Sequence, residues 1–214
     1  TASLLGQGSE VIASDISQHI LEEAKRIHSF SNLKFLQCDV ENYDFEPHFF
    51  DVVISRFGVM FFENPLKAFT NINRSMKKGG RLNLLVWKTF DENLWMKVPA
   101  SAAFKVLDRP EPPKEGEPGP FSLCDSDAFG EMLSAAGFDN ITFVSNKLNL
   151  NLGGLSEAVQ LMTQLGPAAK PYGEASSDLQ RRARESMETV LLHHESASGV
   201  FLPSAFWLVR ATAL

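Results

Sequence analysis

The sequence predicts an α/β fold with a doubly wound, mostly parallel sheet, an antiparallel hairpin at one edge and a helical insertion. Short apolar runs alternate with amphipathic helical patterns through residues 10–87, as in sheets whose parallel strands are joined by helices. Two of these runs, at 10–15 and 33–39, end in an aspartate. Towards the end of the chain, two strand patterns flank the mostly helical segment 153–200, which indicates an antiparallel pair with an insertion.

The composition is that of an ordinary globular domain. The 214 residues are 44% hydrophobic and 21% charged, which suffices for one sizeable core, so we expect a single domain over 1–214. The formal net charge of -6 argues against a nucleic-acid partner, because phosphate binding normally needs a basic surplus. The cysteines Cys38 and Cys124 lack metal-motif spacing, and no apolar stretch has the length of a bilayer span. A cytoplasmic protein without a metal is therefore expected.

Caps and periodicity set the boundaries expected in the first half. Ser17 can cap a helix that runs to about Ser29. Pro65 stands in the first turn of a second helix, which ends at the Lys-Lys-Gly-Gly run 77–80. The loop 41–49 takes the place of one connecting helix. The strands expected here are 10–15, 33–39, 50–57 and 81–87.

The second half predicts a different arrangement. The segment 109–119 is rich in Pro and Gly and is expected to be a loop. Alternating apolar and polar residues at 141–151 predict an antiparallel strand, and 203–212 predicts the last strand. The helices expected here are 93–107, 125–136, 155–164 and 177–194.

The two strand-end acids, Asp15 and Asp39, are candidate ligands of a nucleoside. In a doubly wound sheet, ligands bind beyond the carboxyl ends of the strands, and an acid there can accept the ribose hydroxyl protons. Asp39 could receive an adenine amino group with the Val40 backbone amide in reach, and Ile16 could pack on the adenine ring. The alternative is that each aspartate only caps the segment that follows it.

The sequence leaves the nucleoside cofactor open at this point. A nicotinamide-dependent dehydrogenase of the short-chain type needs a Tyr-x-x-x-Lys pair, and neither Tyr43 nor Tyr172 has a lysine four residues later. A phosphate-binding P-loop motif is also absent from the sequence. A dehydrogenase therefore stays an alternative without a proton-transfer pair.

Several motifs in order resemble one enzyme family. The stretch ISRFGVMFFENP (54–65), the turn MKKGGRL (76–82), NLWM (93–96), GPFSL (119–123) and LPSAFWLV (202–209) are similar to the class I S-adenosylmethionine-dependent methyltransferases. Within them, the chain is most similar to the bacterial small-molecule branch around the ubiquinone and menaquinone methyltransferases. The resemblance implies a Rossmann-like fold, S-adenosylmethionine as cofactor and methyl transfer as the activity.

The resemblance also implies roles for individual residues. Asp15 matches the ribose-binding acid, and Asp39 with Val40 matches the adenine contact. Ser55, Arg56 and Phe57 match the loop that meets the methionine part of the cofactor and the substrate; plain core packing is the alternative for Phe57.

The family pattern has one expected part that lies outside the sequence. Its first strand and glycine-rich turn would precede Thr1, so we expect 2–5 to be the end of the following helix, closed by Gly6 and Gly8. On this expectation, the 214 residues are an incomplete domain.

The acceptor is expected to be a small molecule, aromatic or quinone-like, with O- and C-methylation both open. The Asn/Asp-Pro-Pro-aromatic signature of nucleobase amino methylation is absent, since Ser55 to Gly58 stand in its place. A general base is needed only if the nucleophile is a neutral hydroxyl or an acidic carbon. His194 is the first candidate, and the others are His193, Glu195, His48 and Tyr172. The insertion 153–200 could form a lid or simply pack on the sheet. A non-catalytic binding module and a dehydrogenase stay alternatives, and the oligomeric state is open, a homodimer included.

Overall fold

The computed structural model describes residues 2–4, 8–112, 114 and 116–214. Its first element is a 3-10 turn at Ala2–Leu4. Residues Leu5 and Gly6, which the sequence assigns to a helix end, lie outside the described residues. Gly8 has a φ of 95°, the left-handed conformation that a chain reversal needs and that glycine adopts without strain.

Seven α-helices are described, and most of them begin at a side-chain cap. The Ser17 side chain accepts a hydrogen bond from the Ile20 amide, as the sequence predicts. The Asn64 side chain likewise accepts one from the Lys67 amide, with Pro65 in the first turn as predicted. The helices are α1 (Gln18–Ile27), α2 (Pro65–Ser75), α3 (Leu94–Ala103), α4 (Ser126–Ala135), α5 (Leu155–Gln164), α6 (Ala169–Glu174) and α7 (Ser177–Leu191).

The strands form two sheets. The smaller sheet is one parallel pair, and the larger sheet contains both parallel and antiparallel pairs. β1 pairs with β2 in parallel, while β3 and β4 are parallel and continue through β7 to β5 in the order β3-β4-β7-β5. β7 is antiparallel to both β4 and β5. The strands are β1 (Val11–Asp15), β2 (Leu33–Gln37), β3 (Phe50–Arg56), β4 (Met76–Trp87), β5 (Phe138–Asn151), β6 (Glu195–Ser196) and β7 (Gly199–Ala213). The predicted fold class, with helix-linked parallel strands and an antiparallel edge hairpin, is confirmed.

One face of the larger sheet is covered by α2 and α4. Leu82 and Val209 on that face are fully buried, and Phe69 of α2 and Phe129 of α4 pack against each other over them. On the opposite face of β3, Val52 and Ile54 are 41% and 53% exposed. From Val52 onwards, exposed and half-buried residues alternate along β3 with the two-residue period of a strand.

The helical insertion packs into a second apolar core. Residues of α5 and α7 bury their apolar faces against α3 and against the ends of β5 and β7 that extend beyond β4. The side chains of Met187 and Leu191 in α7 have no exposed surface. The insertion therefore forms a packed helical layer with its own core.

Several predicted boundaries are wrong. β4 begins at Met76 rather than at Arg81, because the run predicted to close α2 already pairs with β3 across a bulge. At Gly80, a Cβ atom would lie 2.8 Å from the Lys77 carbonyl oxygen, so the close approach requires glycine. α3 ends at Ala103, well before residue 107.

Other differences lie in the second half. β5 begins at Phe138 and β7 spans Gly199–Ala213, so both strands are longer than predicted. The last turn predicted for α7 is a 3-10 turn, Leu192–His194, and α6 is not predicted at all.

None of the helices in the described part of the chain combines the length and apolarity that a membrane crossing requires.

Candidate functional site

The two predicted acids lie at the same end of neighbouring parallel strands. Asp15 pairs with Gln37 at the carboxyl ends of β1 and β2, and the Cys38 amide donates to the Asp15 carbonyl oxygen at 3.1 Å. Asp39 follows two residues after Gln37. The register thus places both aspartates at one edge, which we call the carboxyl edge, and both are half-buried.

Each of these carboxylates also stabilises the turn that follows it. Asp15 Oδ1 accepts from the Ser17 amide at 2.8 Å, and Asp39 Oδ1 accepts from the Glu41 amide at 2.9 Å. Asn42 Nδ2 donates to the other oxygen of Asp39. Both aspartates therefore do cap the segments that follow them. A carboxylate has about four acceptor positions, so the same group can bind a turn and a ligand together.

Ile16 and Val40, which follow the two acids, differ in their surroundings. The Ile16 side chain is 69% exposed, so its apolar surface is open beside Asp15. Val40 packs against the larger core, and its carbonyl oxygen accepts from Asn71 Nδ2 at 2.7 Å. The Ile16 side chain is thus exposed to solvent at this edge, whereas Val40 is packed in the core and its backbone is hydrogen-bonded to α2.

A side-chain contact joins the end of β2 to the end of β3. Glu41 Oε1 accepts from the Glu63 amide at 2.6 Å and from the Asn64 amide at 3.1 Å. Asn64 caps α2, which begins soon after the carboxyl end of β3. The loop that contains Asp39 and the loop that follows β3 are therefore neighbours on the same side of the molecule.

Ser55, Arg56 and Phe57 end β3 at this edge. Ser55 is half-buried and Arg56 is exposed. Phe57 has a φ of 61°, and its amide donates to the Leu85 carbonyl oxygen at 2.9 Å. A left-handed conformation at a bulky residue costs roughly 1–2 kcal/mol, and such strain persists only where surrounding contacts enforce it.

Aromatic rings hold Phe57. Its ring stacks on Trp87 with a centroid distance of 3.8 Å and an interplanar angle of 7°, and Phe206 meets both rings edge-on. Trp87 ends β4 and is paired with Phe206 in β7. Trp95 of α3 lies against Trp87 at 5.3 Å. Phe57 is predicted from the sequence but the cluster is not, because its rings come from three distant parts of the chain, at 57, 87–95 and 206.

A second loop closes on the segment after β3. Met60 lies in the 3-10 turn Val59–Phe61, and its carbonyl oxygen accepts from the Gly119 amide at 3.0 Å and from Ser122 Oγ at 2.7 Å. Met60 itself is 1% exposed. The GPFSL motif therefore packs against the segment that follows β3, next to the carboxyl edge.

The structure does not bring His194 together with the other predicted site residues. His194 precedes Glu195, which pairs with Val200 at the start of β7. Phe206, the β7 residue that pairs with the end of β4, is six residues further along, which corresponds to about 20 Å of extended strand. The predicted base therefore lies in the far part of the hairpin.

The ionisable groups near this region with a shifted pKa are one member of an ion pair and two thiols. Lys88 Nζ lies 2.7 Å from Glu92 Oε1, and this contact lowers the pKa of Glu92. Burial raises the pKa of the Cys38 and Cys124 thiols, which keeps them protonated and weakly nucleophilic. Among the described residues, no group of three or more His, Cys, Asp or Glu is placed to hold a metal ion.

The sequence comparison points to one family. Residues 1–84 match the profile of the methyltransferase domain. This match covers about two fifths of the chain. The chain is 27% identical over 156 residues to the ubiquinone/menaquinone biosynthesis C-methyltransferase UbiE of Francisella tularensis subsp. holarctica, a match that covers 65% of this chain and 61% of the relative. The matched region thus spans about three fifths of that relative's length, and the predicted resemblance is confirmed.

Solved structures show the same fold. The YcgJ protein from Bacillus subtilis superposes with a TM-score of 0.55 at 17% identity, over 95% of this chain and 82% of that one. Phosphoethanolamine N-methyltransferase 2 of Haemonchus contortus, solved with S-adenosyl-L-methionine, gives 0.51 at 19% identity over 95% of this chain and 43% of that one. At these identities the similarity concerns the fold alone.

Proposed function

We propose that this chain transfers a methyl group from S-adenosylmethionine to a small-molecule acceptor. The observation that supports it best is the pair of half-buried carboxylates, Asp15 and Asp39, at the carboxyl ends of two parallel strands. In this class of sheet, that edge is where a nucleoside is expected. When bound, the cofactor would supply an electrophilic methyl group on a sulfonium.

The residues at the edge divide into two sets in this proposal. Asp15 would accept the ribose hydroxyls with Ile16 against the adenine ring, and Asp39 with the Val40 backbone would receive the adenine edge. Ser55, Arg56 and Phe57 would border the methionine part and the acceptor. The half-buried Phe57 and Trp87 rings would exclude water there, which favours alignment of nucleophile and methyl group in a dry site.

The acceptor is the more specific part of the proposal. An aromatic or quinone-like ring is favoured by the stacked Phe57 and Trp87 at the end of β3 and β4, because aromatic faces bind planar rings well. Both O- and C-methylation fit this surface. Because His194 lies in the far part of the hairpin, an acceptor that is already anionic, and needs no general base, fits the geometry better than a neutral one.

Calorimetric titration of the full-length protein with S-adenosylhomocysteine tests whether the cofactor binds. We expect micromolar binding, and about tenfold or greater weakening in Asp15→Ala, since a hydrogen bond to a charged group contributes roughly 1.5–3 kcal/mol. Glu10→Ala is the matched control. Glu10 directly precedes the same strand at its opposite end and is paired with Lys34 at the surface.

The outcomes separate the alternatives. Binding that is lost in Asp15→Ala and kept in Glu10→Ala would support the cofactor and its ribose contact. A folded full-length protein that does not bind S-adenosylhomocysteine would contradict the proposal. Titration with a nicotinamide dinucleotide would then test the dehydrogenase alternative.

A further inference from the structure

Asn93 is a buried polar residue that joins three segments. Its side chain has no exposed surface. Asn93 Nδ2 donates to the carbonyl oxygens of Thr89 at 2.9 Å, Ala205 at 3.0 Å and Lys88 at 3.2 Å. Its Oδ1 accepts from the Ala205 amide at 3.0 Å. The residue therefore ties the end of β4 and the start of α3 to the middle of β7.

The remaining bond of Asn93 reaches an aromatic ring. Trp95 Nε1 donates to Asn93 Oδ1 at 3.1 Å, and the Trp95 side chain is 6% exposed. An indole N–H in an apolar setting needs a partner, so this bond fixes the Trp95 ring. Trp95 in turn packs on Trp87, and Trp87 stacks on Phe57.

Phe57 is the end of this chain of contacts and the residue that most needs external support. Its left-handed backbone is unfavourable for a bulky side chain, and its ring is held between Trp87 and Phe206. The Trp87 backbone amide meets the Met60 sulfur of the turn after β3 at 3.4 Å. The Trp87 ring itself lies among the rings of Phe57, Trp95 and Phe206.

We propose that Asn93 is a positioning residue of the cofactor site, which holds the Phe57 ring in place through Trp95 and Trp87. The inference rests on the proposed function, in which Phe57 borders the methionine part of the cofactor. Asn93 itself touches neither cofactor nor acceptor. Its effect is transmitted by packed rings, each of which is in contact with the next.

Two variants probe the two ends of the Asn93–Trp95 bond. Trp95→Phe keeps one aromatic ring and removes the N–H donor together with the second fused ring, the same atoms that the Trp207→Phe control removes, and Asn93→Ala removes the whole set of side-chain bonds. We expect each to weaken S-adenosylhomocysteine binding, measured by calorimetry, by about three- to tenfold, the size typical of coupled neighbours. The near-ultraviolet circular dichroism of Asn93→Ala, which keeps both tryptophans, should change as well, because the Trp87 and Trp95 rings shift.

Trp207→Phe is the matched control. Trp207 Nε1 donates to the Cys124 carbonyl oxygen at 2.9 Å, so this variant loses the same kind of bond on the face of the sheet that α2 and α4 cover. We expect a lower melting temperature and unchanged S-adenosylhomocysteine affinity.

A double-mutant cycle with Phe57→Gly tests whether Asn93 affects cofactor binding through the Phe57 ring. Glycine accepts the left-handed conformation without strain and removes the ring on which Asn93 is proposed to act. The loss of affinity caused by Asn93→Ala should then shrink to less than twofold.

Two results would overturn the inference. One is an unchanged affinity in Asn93→Ala and Trp95→Phe with a melting temperature lowered as in Trp207→Phe, which would make Asn93 a purely structural residue. The other is a full loss of affinity that persists in the Phe57→Gly background. Absence of binding by the wild-type chain would overturn the proposed function itself.

Discussion

At the residue scale, Lys88 and Glu92 show how the neighbours of a charged group determine its role. Their side chains are 14% and 32% exposed, the lowest values among the ion pairs that the described residues form. Lys88 Nζ also lies 4.4 Å from the centre of the Trp207 ring, and Thr89 donates to Glu92. A pair held by several contacts in a partly dry setting contributes more than a free surface pair.

The pH dependence of stability should report this pair. The hydrogen bond from Lys88 lowers the pKa of Glu92 below its ordinary value of 4.5. A carboxylate with a depressed pKa contributes stability above its ordinary pKa, and that contribution is lost as the pH falls through the lowered value. The melting temperature of Glu92→Gln should therefore be below that of the wild type at neutral pH, and the difference should shrink in acid below 4.5.

Glu23→Gln is the control for this prediction. The pKa of Glu23 is also lowered, by its hydrogen bond with Arg26, but both side chains are at least half exposed. Solvent screening should leave its melting curve close to that of the wild type at every pH. Equal effects of the two substitutions would contradict the special role of the Lys88–Glu92 pair.

At the element scale, α7 attaches the insertion to the rest of the molecule. Its apolar stripe, with Ala183, Met187 and Leu191 at spacings of four, is fully buried, and α7 packs against both α3 and α5. The spacing is the one that places side chains on a single face of a helix. The opposite face bears charged residues, among which Arg181 pairs with Asp178 and Glu185.

Substitutions of two adjacent leucines in this region show how much the packing of α7 contributes to the free energy of unfolding. Leu191 has no exposed surface, whereas Leu192 is 55% exposed. Leu191→Ala should lower the free energy of unfolding by about 2–5 kcal/mol, because it leaves a cavity, and Leu192→Ala should change it by less than about 0.5 kcal/mol. Chemical denaturation gives both values, and similar losses in the two variants would contradict the packing described for α7.

At the scale of the whole molecule, two apolar cores share the larger sheet. One lies between the sheet and α2 with α4, the other between the insertion, α3 and the extended ends of β5 and β7. Trp87 packs against both cores. The aromatic cluster at the end of β3 and β4 is therefore at the junction of the two cores.

The sheet topology predicts an order of amide hydrogen exchange. β4 and β7 each have strand partners on both sides, so their amides should exchange slowest, close to the limit of global unfolding. β1 and β2 form a two-stranded unit among the described residues, and two paired strands alone are only marginally stable. Exchange measured by mass spectrometry should be clearly faster there, and equal protection of β1 and β4 would contradict this order.

The sequence by itself determined the features that depend on short stretches of chain. The bounds of α5, the capping of α1 by Ser17, the place of Pro65 in the first turn of α2, and the acids at the ends of β1 and β2 all match the sequence-based predictions. Each of these depends on a window of a few residues, in which periodicity and caps give a direct physical signal.

Only the tertiary structure decided the features that join distant segments. Asn93 and Ala205 are 112 residues apart in sequence and form two hydrogen bonds, and the pairing of Trp87 with Phe206 places the aromatic cluster next to Phe57. The left-handed conformation of Phe57 has no local cause, since glycine would be the expected residue there. Such features follow from which strands pair and which rings then meet, and that energy is distributed over contacts that no short window of sequence contains.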